Sequence, residues 1–199
     1  YMASIKETAE YFTGRIIRFE EIQEYKNKGG LNNDWDLSEA IIKDKDISVD
    51  KKFIIKKFQS YYDRLKNNEK WILNGKLLKK LSNKYCLAIL TGRPKNEAYY
   101  ALKKNKAANY FSAVIAMEDA SRQKPDPEGL LKILNQFPDS EAYYFGDSID
   151  DMKAAVLAKI NPIGVLPPQD KSALLQNLLI KSGAKIVIQN INKIIEVLK

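Results

Sequence analysis

The stretch Ala142-Tyr143-Tyr144-Phe145-Gly146-Asp147-Ser148-Ile149-Asp150-Asp151 carries a short apolar run into a polar junction and out into a helical pattern. Three carboxylates fall within five residues at a strand–helix junction. Two uses fit them. Helix capping would place Asp147 or Ser148 at the N-cap, with Asp150 and Asp151 complementing the helix dipole. Alternatively the carboxylates gather a cation, and hard oxygen donors without His or Cys favour Mg²⁺.

The same strand-then-helix rhythm extends on both sides. Cys86-Leu87-Ala88-Ile89-Leu90 is an apolar run of the kind buried parallel strands show, and it ends in Thr91-Gly92-Arg93-Pro94. Further strands are expected at 113–117, 142–145, 163–166 and 184–188. Helices are expected at 95–106, 126–135, 149–159, 171–181 and 191–198. Strict alternation predicts an α/β fold, a doubly wound parallel sheet of Rossmann-like form with helices on both faces. Ligands of such sheets lie beyond the carboxyl ends of the strands. There Thr91 and Gly92 offer a hydroxyl and backbone N–H groups suited to an oxyanion. Between the two junctions, Arg122-Gln123-Lys124-Pro125-Asp126-Pro127 holds Lys124 on a proline-stiffened turn. A hydroxyl, a fixed ammonium and a carboxylate pair are the parts phosphoryl transfer uses, because its catalysis is chiefly positioning and charge neutralisation.

Residues 1–73 read differently, as helices joined by polar turns. Ile5, Ala9 and Phe12 fall at helical spacing before Gly14. Phe19 to Lys28 has acids early and lysines late, ending at Gly29-Gly30. A helix is expected near Asp36, and another after Ser48 whose Phe53, Ile54, Phe58, Tyr61 and Tyr62 read as core. The expected division is therefore a helical domain over 1–73 and an α/β domain over 74–199.

Composition narrows the chemistry. The 199 residues include no His and one Cys, which excludes Ser-His or Cys-His nucleophile pairs, His-bound zinc and a disulfide framework. A single thiol fits a reducing compartment, and a cytoplasmic location is expected. No apolar run approaches the roughly 18–20 residues that span a bilayer, so no membrane association is expected. The net charge of +8 comes from lysines dispersed along helices, read as a solvated surface and not as a nucleic-acid site.

The order of an apolar strand with Thr91-Gly92, then Lys124-Pro125, then Gly146-Asp147-Ser148-x-x-Asp151 resembles the second, third and fourth motifs of the haloacid-dehalogenase-like superfamily of phosphohydrolases. The helical first part resembles the small α-helical cap of one branch. Asn32-Asn33-Asp34-Trp35-Asp36-Leu37, Thr91-Gly92-Arg93-Pro94 and Gly164-Val165-Leu166-Pro167-Pro168 resemble a phosphoglycolate-phosphatase-like subgroup within it. The resemblance implies that Thr91 hydrogen-bonds the phosphoryl group with Gly92 beside it, and that Lys124 neutralises the group and the nucleophile. It implies Asp147 as a Mg²⁺ ligand, with Asp151 holding the metal directly or through water. Asn32, Asn33, Trp35 and Arg93 are candidate substrate contacts. For the 32–36 stretch, the alternative is a helix N-cap with Trp35 packed on the helical core.

The superfamily's first motif, an apolar strand ending in Asp-x-Asp that supplies the nucleophile, has no counterpart here. Asp34-Trp35-Asp36 and Asp44-Lys45-Asp46 follow no apolar strand. The nucleophile is expected upstream of residue 1, because loss of a central strand leaves buried backbone groups unpaired at roughly 1–3 kcal/mol each. The expected function is Mg²⁺-dependent hydrolysis of a small phosphorylated metabolite through an aspartyl phosphate, by a monomer or homodimer. A phosphomutase, or an inactive phosphate- or partner-binding member, is the alternative.

Overall fold

The computed structural model describes residues 1–31 and 33–198. The chain divides into two compact units, Tyr1–Lys70 and Trp71–Lys199.

The first unit is helical: α1 (Met2–Thr13), α2 (Phe19–Lys28), α3 (Asp34–Lys43) and α4 (Lys51–Leu65). Gly14 ends α1 in the left-handed conformation, its N–H donating to Glu10 O, a geometry that glycine adopts without a Cβ penalty. Asp50 caps α4 by accepting from Lys52 N–H. In α4 the buried residues are Ile54, Phe58 and Tyr62, spaced i, i+4, i+8 along one stripe. Phe53 lies off that stripe and is 54% exposed, so the expectation that it joins the core is corrected. One continuous apolar cluster, including Ile5, Ile17, Ile22, Leu37, Ile41, Phe58 and Tyr62, fills this unit.

The second unit alternates: α5 (Gly75–Ser82), β1 (Ala88–Leu90), α6 (Lys95–Lys104), β2 (Ala113–Ile115), α7 (Glu128–Leu134), β3 (Tyr143–Gly146), α8 (Ile149–Leu157), β4 (Asn161–Val165), α9 (Ala173–Lys181) and β5 (Ile186–Ile188). A 3₁₀ turn over Ile191–Glu196 stands where a final α-helix was expected. Every strand pairing is parallel. Ala88, Ile89 and Leu90 pair with Ala113, Val114 and Ile115. Gly146 pairs with Gly164, and Val165 with Ile188. Side chains alternate across β4: a Cβ on Gly164 would press on Leu179 of α9, while Ile163 and Val165 pack on the opposite face with Ile188, Ile191 and Val197.

The sheet is in two parts, β1–β2 and β3–β4–β5. Among the described residues, no strand pairs with the outer edge of β1 or with that of β3. The two parts share a helical layer, since Leu130 of α7 and Ala154, Ala155 and Ala158 of α8 form one cluster against Leu90 of β1 and Tyr144 of β3. Strands buried on both faces are the rule in parallel sheets. Here Ala88 and Cys86 are exposed and Leu90 is only half-buried, as expected beside an open edge.

Candidate active site

The carboxyl ends of β1 and β3 open on a cavity of about 340 Å³ whose lining includes Thr91, Lys124, Tyr144, Gly146, Asp147 and Asp151. Residues as far apart in the chain as Thr91 and Asp151 meet there because the carboxyl ends of both strands face the cavity and deliver their following loops to it.

Asp151 is the hub. Its Oδ1 accepts from Lys124 Nζ at 2.6 Å and from the Tyr144 hydroxyl at 2.9 Å. Its Oδ2 accepts from the backbone N–H groups of Asp147 and Ser148, both at 3.1 Å, and from Ser148 Oγ at 2.8 Å. Ser148 is the N-cap of α8, and its Oγ accepts in turn from Asp151 N–H at 3.1 Å, completing a capping box. The residue before this junction must be small: a Cβ on Gly146 would lie 2.3 Å from Asp151 Cβ. The capping reading of the acid-rich junction is thus met by Ser148 at the N-cap and Asp151 three residues on.

Lys124 sits on the loop between β2 and α7, and its bond to Pro125 is cis. Only 13% of its side chain is exposed, against 6% for Asp151. Burial opposes the Lys124 charge, but Asp151, Tyr144 and Asp147 more than offset it and raise the ammonium above its ordinary value. Burial likewise disfavours the Asp151 anion, yet Lys124, Ser148 and Tyr144 together hold its carboxyl below the usual range. Burial and the Asp151 anion push the Tyr144 hydroxyl up. The group is therefore a cation and an anion at working pH, with a neutral phenol beside them.

Thr91 follows β1, its N–H donating to Ile115 O at 2.9 Å, which continues the β1–β2 ladder. Its Oγ1 accepts from Arg93 N–H at 3.1 Å, leaving the hydroxyl proton to donate elsewhere. Gly92 and Arg93 adjoin Thr91 in the turn without lining the cavity. In the helical unit Asn33 is the N-cap of α3, accepting from Asp36 N–H at 2.8 Å, and Trp35 packs on the apolar cluster. Those are the structural roles weighed from sequence. Asn32 lies outside the described residues. Sequence reasoning missed Tyr144, the second of two adjacent tyrosines on β3 and two positions before Gly146. It also missed the direct Lys124–Asp151 pairing, which no local pattern announces.

Oxygen donors of the kind Mg²⁺ prefers stand here, the Asp147 carboxylate among the residues lining the cavity. Among the described residues no group of three or more His, Cys, Asp or Glu side chains is arranged to hold a metal ion. That is compatible with Mg²⁺, which commonly takes one or two carboxylates together with substrate phosphate and water. No helix among the described residues is long and apolar enough to cross a membrane.

A family profile described as haloacid dehalogenase-like hydrolase matches residues 1–165. An imidazoleglycerol-phosphate dehydratase from Phytophthora nicotianae is 28% identical over 94% of this chain and 46% of its own length. A phosphoglycolate phosphatase from Pseudomonas fluorescens is 28% identical over 40% of this chain and 30% of its own length. The chain thus spans less than half the length of either curated relative. A solved structure from Thermotoga maritima, described as an inferred beta-phosphoglucomutase, superposes with a TM-score of 0.70 at 20% identity, covering 100% of this chain and 90% of that one. With the profile match extending over most of the sequence, the chain belongs to the haloacid dehalogenase-like hydrolase family.

Proposed function

We propose that the cavity rim binds the phosphoryl group of a small phosphorylated metabolite, and that the complete protein hydrolyses it as a Mg²⁺-dependent phosphomonoesterase. The observation that carries this reading is the convergence of Thr91, Lys124, Asp147 and Asp151 on one cavity at the carboxyl ends of β1 and β3. Lys124, held at 2.6 Å by Asp151, presents a fixed positive charge to phosphoryl oxygens. Thr91 donates its hydroxyl proton to one of those oxygens. Asp151 serves chiefly as the positioning group for Lys124, because its two oxygens already accept from Lys124, Tyr144, Ser148 and the Asp147 amide. Asp147 is assigned to Mg²⁺, which when bound neutralises phosphoryl oxygens and keeps the transferring group in line with its attacker.

The nucleophile is assigned to a strand seated between the open edges of β1 and β3, from a segment preceding this sequence. A carboxylate oxygen there attacks phosphorus as the ester P–O bond breaks, and the leaving oxygen takes a proton from a neighbouring acid. Water then attacks the acyl phosphate, releasing phosphate and restoring the carboxylate. The helical unit is assigned as a cap.

The test is phosphate release by the full-length protein from a panel of phosphorylated sugars and two- or three-carbon acids, with Mg²⁺ and with a chelator. Release that stops on chelation and returns with Mg²⁺ supports the reading. Isomerised sugar phosphate without free phosphate would make the protein a mutase. No turnover on any compound would leave a phosphate-binding member of the family.

A further inference from the structure

Lys124 lies in an irregular loop, so something other than a helix or sheet must fix its backbone. Glu128, the first residue of α7, turns its carboxylate back onto that loop. Its Oε1 accepts from Ser121 N–H at 3.0 Å and its Oε2 from Arg122 N–H at 2.9 Å. Ser121 and Arg122 precede α7, so this is no cap of the helix's own amides; it is a fork binding two consecutive loop N–H groups. Lys132, one turn along α7, donates to Glu128 Oε1 at 2.6 Å and to Asp119 O at 2.8 Å, tying in the start of the loop. Gln123 Nε2 donates to Met117 O at 2.9 Å, and on the far side of Lys124 the Asp126 carboxylate accepts from Glu128 N–H at 2.9 Å. Lys132, then the Ser121 and Arg122 amides, draw the Glu128 carboxyl down to about 2, so it remains an anion wherever the protein would work.

We propose that Glu128 is a positioning residue for Lys124: by binding the loop amides two and three residues upstream, it sets where the Lys124 ammonium stands at the phosphoryl site. This deepens the phosphatase reading and rests on it. The geometry has consequences because the Lys124–Asp151 contact joins residues 27 apart in sequence, and a shift of about 1 Å at a charge that must meet a phosphoryl group can lower rates up to about a hundredfold.

The experiment is a double-mutant cycle on the full-length protein with Mg²⁺, reading the affinity for inorganic phosphate by calorimetry alongside the thermal midpoint. Glu128→Ala should weaken phosphate binding about tenfold, and Lys124→Met more. The double variant should bind as Lys124→Met does, within about twofold, because Glu128 acts only through Lys124. Glu128→Gln, which keeps one acceptor, should fall between wild type and Glu128→Ala, and it serves if the alanine variant does not fold. A lowered midpoint with unchanged phosphate affinity, or losses that multiply in the double variant, would overturn the positioning role while leaving the site reading intact. Wild-type and Lys124→Met proteins binding phosphate equally would overturn the site reading itself, and the inference with it.

Discussion

The two halves of this chain solve the burial problem differently. In Tyr1–Lys70 a single apolar cluster runs through all four helices, and its largest members are almost completely buried. In Trp71–Lys199 the apolar residues fall into several smaller clusters, and the parallel sheet that should unite them is in two parts. Helices satisfy their backbone hydrogen bonds within themselves, so a helical unit needs only side-chain packing to be complete. A parallel sheet needs neighbours on both edges of its central strands. The difference bears on the chemistry, because β1 and β3, each with an edge that no strand pairs among the described residues, end at the cavity that holds Lys124 and Asp151.

The sharpest way to break this contrast is to separate the halves. Residues 1–70 alone should keep a helical circular-dichroism spectrum and melt cooperatively, whereas residues 71–199 alone should bind hydrophobic dye and lack a cooperative transition. The opposite result would mean that the split sheet is no defect. Next in size, Phe58→Ala should destabilise the helical unit by about 3–5 kcal/mol in denaturant unfolding, since it empties the middle of the one continuous cluster. A much smaller loss would show that this core is looser than its burial implies.

A pH-dependent contrast lies in α6. Burial raises the Glu97 carboxyl from 4.5 to about 7, with Glu118 adding to the shift. A raised carboxyl is favoured in its neutral form by folding, so its contribution to stability is present below about pH 4.5 and is lost as pH climbs through 7. Glu97→Gln should therefore match wild type at pH 4.5 and exceed it at pH 8, by on the order of 2 kcal/mol. Equal stability at both pH values would show that this carboxylate is well solvated. The smallest effect expected is Ser148→Ala, which removes the α8 cap and one donor to Asp151. It should lower stability by about 1 kcal/mol and reduce turnover more than that loss alone explains.

The elements were legible where local rules act alone. α2 spans Phe19–Lys28 as its charge order and terminal glycines predict, and α1 stops at Gly14. Strand positions were legible too, but not their lengths. Cys86 and Leu87 read as strand, yet β1 begins at Ala88, because only three residues find partners in β2. The final helix was misread because Ile191, Ile194 and Ile195 mimic helical spacing, while the segment closes as a 3₁₀ turn capped by Asn190. At the site, Thr91, Lys124, Asp147 and Asp151 were each visible as residues at loop and strand ends. Their partners were not. Tyr144 reaches Asp151 across the β3–α8 junction, and Glu128 reaches back to the loop before α7, so each contact spans irregular chain whose path neither helical nor strand spacing dictates.

The central claim is that this rim pairs a divalent cation with a phosphoryl group. Phosphate release by the full-length protein with saturating Mg²⁺, comparing wild type with Asp147→Asn, tests it most directly. A loss of about a hundredfold or more in kcat, with the fold intact by circular dichroism, is the predicted result. An Asp147→Asn protein that releases phosphate at the wild-type rate and with the wild-type need for Mg²⁺ would contradict it.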